Sequence, residues 1–406
     1  MQRIAMPWLV YHITGSAFLL GVVSFAGQIP TFLLSPVAGV LTDKFNRYRV
    51  LLVTQIVSLI QALLLAILAL AGVIQVWHIV VLGFALGCIN AFDVPSRHSF
   101  VIEMVEKKED LGNAIALNSL MFNGARLIGP SVAGILLATT GEGICFLINA
   151  ISYVFVIFSL LMMRVDKKKI KREVTDLFKD MKEGLDYTFG FAPIKYLILL
   201  LGLVSLMGAS YQVLMPVFAK EVLHGGSDTF GFLMGAAGFG ALIGAIYLAS
   251  RQSVLKLGRL IPAATALFGT GLIILSFLKI FSLSIIIMIF TGLGLMLQTA
   301  AINTVIQTIT EDDKRGRVMS FYAMAIMGTA PFGSLLAGTM AKFLGTTAAI
   351  CIGGVTCVAG AVVFLRKLPG LKTIVRPVYE KMGIITEVAK GIQTASEPAA
   401  EASDVR

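Results

Sequence analysis

Two glycine-rich stretches decide the organisation of this chain: GARLIGPSVAGILLATTG at residues 124–141 and GTAPFGSLLAGTMAKFLG at residues 328–345. The second begins 204 residues after the first (328 − 124), and at this offset every glycine of one stretch falls on a glycine of the other. Gly112 and Gly316, just before the stretches, keep the same offset. Five coincident glycine pairs indicate an internal duplication, so the sequence predicts two halves of similar structure.

The composition shows which solvent surrounds these halves. Of 406 residues, 57% are hydrophobic and 14% are charged, whereas a soluble domain carries about 25% charged residues. Residues 56–76 and 280–310 contain no charged side chain, and about 20 apolar residues suffice to cross a bilayer as a helix. We expect an all-α membrane protein in which two parallel six-helix repeats supply twelve transmembrane helices. The predicted helices are residues 1–13, 16–41, 50–72, 77–96, 113–138, 143–164, 194–219, 229–250, 260–278, 282–309, 318–341 and 346–365.

The basic residues predict the topology. The net charge is +10, and 27 of the 33 lysines and arginines lie in the loops after every second helix or in the C-terminal tail. Loops rich in lysine and arginine favour the cytoplasm. We therefore expect a multi-pass protein of the plasma membrane with cytoplasmic basic loops and C-terminus. The positive charge then reflects topology, and we expect no nucleic-acid partner.

The basic segment at residues 165–193 divides the chain. It separates an N-terminal six-helix bundle, residues 1–164, from a C-terminal bundle, residues 194–367, and residues 368–406 are expected to form a disordered cytoplasmic tail. Within the linker, Val174, Leu177, Phe178, Met181 and Leu185 recur at helical spacing among lysines. This pattern predicts a helix on the cytoplasmic membrane surface, or else a solvated linker helix.

The sequence contains no recognisable catalytic or metal-binding constellation. Four cysteines and four histidines are scattered without metal or disulfide spacing, and no GxxxxGK[ST] loop is present to bind ATP. We expect a monomeric protein that is not an enzyme and needs no cofactor or metal. Its energy source would be an ion gradient or the gradient of its own substrate.

Arg126 is the main difference between the duplicated stretches, because Ala330 stands at the matching position. Counted from Asn113, Arg126 lies about 20 Å along its helix, and a charge at that depth costs about 3 kcal/mol or more unless it faces water or a partner. Arg126 is therefore a candidate for a substrate or proton site; the alternative is an arginine that only locks the helix. The glycines that the two stretches share, together with Pro130, predict close packing around the fifth and eleventh helices. They are Gly124, Gly129, Pro130, Gly134, Gly328, Gly333 and Gly338.

Several motifs together resemble the major facilitator superfamily, in its transmembrane-secretion-effector branch. GVLTDKFNRYR at residues 39–49 looks like motif A, and Gly129-Pro130 with Gly134 resembles motif C of exporting proton antiporters. FDVPSRHSF at residues 92–100, and residues 113–130 and 315–338, resemble the branch that includes enterobactin and macrolide exporters. The resemblance extends to about residue 367 and implies the major facilitator fold.

The resemblance also implies a conformational latch in motif A. Asp43 would contact the N-terminal end of the eleventh helix and Arg97, and would release them in the inward-facing state. The latch residues are Gly39, Asp43, Arg47, Arg49 and Arg97.

This chain departs from the family pattern in motif A, in motif C and at its start. Asn46 replaces the usual glycine and Tyr48 a basic residue, while motif C retains Gly134 without its paired glycine. Related chains have further residues before the counterpart of Met1. We therefore expect Met1 to be an internal or truncated start that leaves the first helix short.

Further polar residues are candidates for substrate or proton binding. Asp93 is the only carboxylate in the apolar part of a predicted helix; it is either a titrating acid or an ion-pair partner of Arg97 four residues on. The other candidates are Asn123, Gln28, Asn90, Tyr211 and Gln298, with Asn118, Gln212 and Asn303 of the same type.

From these features we expect a proton antiporter that exports an amphipathic drug-, macrolide- or siderophore-like molecule across the lipid bilayer by alternating access. An uptake symporter and a gradient-independent lipid scramblase are the alternatives.

Overall fold

A computed structural model describes residues 1–44, 46–104, 110–163, 177–251, 254–255, 257–311 and 314–381. Every regular element of these residues is helical. The first half contains α1 (Gln2–Thr14), α2 (Ala17–Lys44), α3 (Arg47–Leu70), α4 (Val76–Glu103) and α5 (Leu111–Met162). The linker helix is α6 (Leu177–Gly190). The second half contains α7 (Ala192–Leu203), α8 (Tyr211–Val217), α9 (Ser227–Ala249), α10 (Leu257–Phe277), α11 (Phe281–Ile309), α12 (Arg315–Ala323), α13 (Thr329–Leu344) and α14 (Thr346–Lys381).

The helices account for the spans that the sequence predicts. Ten helices of the described residues are long and apolar enough to cross a membrane. One of them contains two predicted spans, because α5 is broken at Gly141, where φ is 80° and ψ is 175°. The matching Gly345 has φ 88° between α13 and α14. The duplicated glycine thus makes the same left-handed turn in both halves. α1, with 13 residues, is too short to count among the ten.

Three π-helical turns join shorter helices into longer spans. They lie at Val204–Gly208, Phe218–Val222 and Met324–Gly328. The first joins α7 to α8 and the second extends α8, which gives one span from Ala192 to Val222. The third joins α12 to α13. π-Helical turns occur frequently at functional sites. The second turn contacts Tyr11 of α1 through Glu221, and the third meets Phe32 of α2 at Gly328, so these two turns contact the opposite half.

The turns between spans define two ends of the molecule. We call the end formed by residues 15–16, 71–75, 141, 223–226, 278–280 and 345 the closed end, because the two halves meet there. The opposite end, where Asn46, Met104, Ser250 and Thr310 lie, is the basic end. The larger buried core belongs mainly to the second half but includes Ile4 and Ala133 of the first. A second core, in the first half, includes Val213 and Val217 of the second.

Two elements at the basic end bear on the predicted linker and tail. α6 has the predicted position, and it packs on α12: Gly184 lies against Arg317, and the Phe189 and Phe321 rings are 6.4 Å apart. α14 continues to Lys381, so residues 368–381 are helical and not a disordered tail. The reason is that the apolar face of α14 continues through Leu368 and Leu371, each 7% exposed. Residues 164–176 and 382–406 lie outside the described part of the chain.

Candidate functional site

Two glycine crossings join the halves at the closed end. A methyl group placed on Gly134 of α5 would lie 2.7 Å from the Cα of Gly231 on α9. A methyl group on Gly338 of α13 would lie 2.9 Å from the Cα of Gly21 on α2. Gly134 and Gly338 are matching residues of the duplication, so each half inserts the same glycine into the opposite half. Only glycine allows the backbones to approach so closely.

Polar and aromatic contacts accompany the crossings. The Tyr11 hydroxyl of α1 donates a hydrogen bond to Glu221 at the end of the second π-helical turn, and the Lys220 ammonium lies 5.5 Å from the Tyr11 ring centre. The Trp8 and Phe230 rings stack at 6.3 Å. Each of these contacts links the first half to the second, so they reinforce closure at this end.

Gln28 belongs to the same inter-half interface. Its Nε2 donates to the Ser334 Oγ at 3.3 Å, and Ser334 in turn donates to the Ala330 carbonyl. Nearby, a methyl group on Gly328 would lie 2.5 Å from the Phe32 ring, so the interface extends to the middle of α2 and to the π-helical turn before α13. Gln28, predicted as a substrate contact, therefore bridges the two halves in this conformation.

Asp93 sits in a buried polar cluster inside the first half. It is 4% exposed and accepts hydrogen bonds from Thr54 Oγ1 at 3.0 Å and Gln55 Nε2 at 2.6 Å. Arg97 donates to its other oxygen at 2.5 Å, although the Arg97 side chain is 55% exposed. The ion pair at the spacing of one helical turn is present, and α3 supplies two further donors. Arg97 thus contacts Asp93 in this conformation.

A second polar cluster lies deeper in the first half. Gln2 of α1 donates to Gln61 of α3 at 3.1 Å and accepts from Asn149 of α5 at 3.1 Å. Gln61 also donates to the Leu82 carbonyl at 3.1 Å. Because polar groups inside an apolar bundle need partners, this cluster ties four helices together. This cluster was not predicted from the sequence; the recurrence of Thr54, Ser58 and Gln61 along one face of α3 was the available signal.

The remaining candidates divide between core and interface. Tyr211 is 3% exposed and packs 6.1 Å from the Phe268 ring inside the second half. Gln298 is fully buried; its Oε1 accepts from Thr299, and its Nε2 has no partner among the described residues. Asn90 is partly buried on α4. Gln298 therefore carries a buried hydrogen-bond donor that is available to a ligand.

The side chains of several predicted site residues lie outside the described part of the chain. These are Arg126, Asn123, Asn118, Gly39 and Asp43, which remain predictions. Two departures in motif A have local roles: the Asn46 side chain accepts from the Arg49 backbone N–H at 3.1 Å and caps α3, and Tyr48 donates to the Leu160 carbonyl at 3.0 Å. Arg47 is partly buried and Arg49 exposed at this end.

The shared glycines divide into two groups. Gly134, Gly328, Gly333 and Gly338 approach neighbouring helices so closely that a methyl group would overlap them. At Gly124 and Gly129, next to Pro130, a methyl group would meet no described atom within 4 Å. Identical sequence spacing therefore produces different packing in α5 and α13.

Two six-helix halves that meet along α2–α13 and α5–α9 define a transporter of the major facilitator type. The chain belongs to the transmembrane secretion effector family, which matches residues 1–382. It is 27% identical to the staphyloferrin A transporter of Staphylococcus aureus over 89% of this chain and 90% of that protein. It is 23% identical to the multidrug efflux pump Tap of Mycolicibacterium fortuitum over 84% and 85% of the two chains. The family and these relatives are transporters, not enzymes.

Solved structures share the fold at low sequence identity. A mutant of the peptide transporter POT has a TM-score of 0.71 and 11% identity, covering 92% of this chain and 93% of its own. An inward-facing, unoccupied bacterial homologue of the lysosomal transporter Spinster has a TM-score of 0.62 and 15% identity, covering 93% and 97%. The predicted fold class is thereby confirmed.

Proposed function

We propose that the protein exports an amphipathic small molecule in exchange for protons, and that its halves rock about a midplane cavity. The observation that carries this proposal is the symmetric closure of the halves at one end, through Gly134 with Gly231 and Gly338 with Gly21. The named relatives, a siderophore transporter and a multidrug efflux pump, support export of such molecules.

The charge distribution relates the closed end to the membrane. If the basic loops are cytoplasmic, the closed end faces outward, and the contacts of Tyr11 with Glu221 and of Gln28 with Ser334 form an external gate. A carrier closed outside receives its cargo from the cytoplasm, as an exporter must at the start of its cycle. Opening of this gate would then release the substrate.

Arg126 is the residue that we assign to the cavity. Its positive charge attracts an anionic group of the substrate, or it disfavours the binding of a proton nearby. Proton and substrate then compete. Asn123, which stands three residues earlier at helical spacing, is the second residue that we assign to the cavity. Asp93 serves as a buried support for the end of α4, since Thr54, Gln55 and Arg97 all bond it.

Accumulation in intact cells tests the proposal. The panel is a cationic dye, a macrolide, a catecholate siderophore and staphyloferrin A, each measured with and without an uncoupler. Wild-type protein is expected to lower accumulation of at least one compound, and both the uncoupler and Arg126→Ala are expected to abolish the effect. Arg126→Lys keeps the charge and is the matched control, expected to retain part of the activity.

Two other outcomes decide against the proposal. Uncoupler-sensitive uptake of a compound would identify a symporter. Lipid movement in proteoliposomes without an ion gradient, with no change in any compound, would identify a scramblase.

A further inference from the structure

A cavity lies at the basic end, away from the closed end. It has a volume of ≈ 270 Å³ and opens between α7, α10, α11 and α14. Its apolar wall includes Leu197, Ile261, Val305, Phe364, Leu368 and Val375. Four helices of the second half alone build this cavity, so its shape does not depend on how the two halves meet.

α14 places this cavity at the border between hydrocarbon and head groups. At 1.5 Å per residue, Phe364 lies about 27 Å and Lys372 about 39 Å from the start of α14 at Thr346. The hydrocarbon core is about 30 Å thick. The apolar wall near Phe364 therefore lies at the depth of acyl chains, and Lys372 lies beyond it, at the level of phosphate groups.

The outer rim of the cavity is cationic. Lys372, Arg376 and Tyr379 all line it. No carboxylate of the described residues pairs with Lys372, which is exposed. The Arg376 Nε donates a hydrogen bond to Glu380 at 3.1 Å, and the Arg376 side chain remains 54% exposed. Basic pockets between helices at the cytoplasmic side are typical sites for anionic lipid head groups, and tyrosine is enriched at this level.

We propose that this cavity binds one anionic phospholipid, with an acyl chain against Leu197 and Leu368 and its phosphate beside Lys372 and Arg376. The charge of the rim and the apolar wall at hydrocarbon depth select this occupant. The site goes beyond the transport cycle, since it needs only the cytoplasmic position of the basic end. The competing occupant is the segment 382–406 of the same chain, which carries Glu397, Glu401 and Asp404.

Native mass spectrometry of the full chain tests the site. The probes are dioleoyl phosphatidylglycerol, which is anionic, and dioleoyl phosphatidylcholine, which is not. One phosphatidylglycerol is expected to remain bound per chain at concentrations where phosphatidylcholine does not. Each cation near an anionic head group contributes about a fivefold factor in affinity. Lys372→Gln with Arg376→Gln is therefore expected to weaken phosphatidylglycerol binding roughly 30-fold.

A matched control lies on the same helix. Arg366 and Lys367 are exposed on α14 and do not line the cavity. Arg366→Gln with Lys367→Gln removes the same charge and is expected to leave binding unchanged. Gly258→Leu supplies a variant of different chemistry: a Cβ on Gly258 would lie 3.5 Å from Leu368 Cδ1, an ordinary contact, so the added side chain fills the cavity. It is expected to remove the bound phosphatidylglycerol with all cations in place.

Three results would overturn the proposal, provided that each variant elutes as a single species with wild-type helicity. The first is equal affinity for the two lipids, and the second is an equal loss in the Arg366 and Lys367 control. The third is binding that appears only after Glu397→Gln, Glu401→Gln and Asp404→Asn are combined, which would assign the cavity to the tail.

Discussion

Gly134→Ala is expected to open the closed end. The added Cβ would lie 2.7 Å from both the Gly231 Cα and the Ser227 carbonyl oxygen. Ordinary contacts begin at 3.4 Å, so α5 and α9 must separate by about 0.7 Å (3.4 − 2.7). Because the opposing atoms belong to the backbone, no side-chain rotation relieves the overlap. The overlap therefore destabilises the closed state, in which α5 and α9 cross.

The energy of this overlap sets the expected shift. Overpacking of a well-packed contact costs about 1–3 kcal/mol. The open state lacks the overlap, so the ratio of open to closed molecules is expected to rise roughly 5- to 150-fold. Alanine also favours a helix over glycine by about 1 kcal/mol, but this gain is present in both states. Gly129→Ala has the same gain and meets no described atom within 4 Å, so it is the control.

Electron–electron resonance distances measure the shift. After replacement of the four native cysteines, spin labels at Thr140 and Phe343, both exposed at the closed end on opposite halves, report the separation in nanodiscs. Gly134→Ala is expected to populate a longer distance than either wild type or Gly129→Ala. Identical distance distributions for the two alanine variants would refute the reasoning.

Three further predictions concern polar side chains. Tyr11→Phe removes a hydrogen bond to Glu221 worth about 1.5–3 kcal/mol and is expected to raise the open population in the same spin-label measurement; an unchanged distribution would mean that the bond is dispensable. Arg97→Gln is expected to lower the unfolding temperature more than Asp93→Asn in scanning fluorimetry, because it leaves a carboxylate that is 4% exposed without its cation, at a cost of about 1–3 kcal/mol; the reverse order would contradict this. Gln298→Leu removes a donor that has no partner among the described residues and is expected to lower transport without lowering stability. A drop in stability would show that the amide serves packing instead.

Periodic features of this fold could be predicted from sequence. Apolar runs of membrane length predict the helices, and the spacing of Asp93 and Arg97 predicts their ion pair. Both depend on residues close in the chain, where helix geometry determines which side chains meet. The extension of α14 past residue 367 was missed, although Leu368 and Leu371 continue its apolar period beyond the basic pair Arg366 and Lys367.

Contacts between distant segments could not be predicted in the same way. Gly129 and Gly134 both lie in the apolar sequence of α5, yet only Gly134 meets another backbone. The difference arises from the crossing point of α5 and α9, which depends on how all the helices pack. Tyr211 was expected in a cavity for its polar group, but its ring packs against Phe268 in the core. A side chain that is apolar at one end and polar at the other fits both settings, and only the fold selects one.

The symmetry of the closed end has a mechanical consequence. Gly134 and Gly338 are equivalent by duplication, and each crosses into the half to which it does not belong. A rigid rotation of one half about an axis near the midplane separates both crossings together, whereas local bending would separate only one. Well-packed interfaces are bistable and do not deform continuously. Two equivalent crossings between rigid bundles therefore favour a gate that opens in one step, so that both crossings report a single equilibrium.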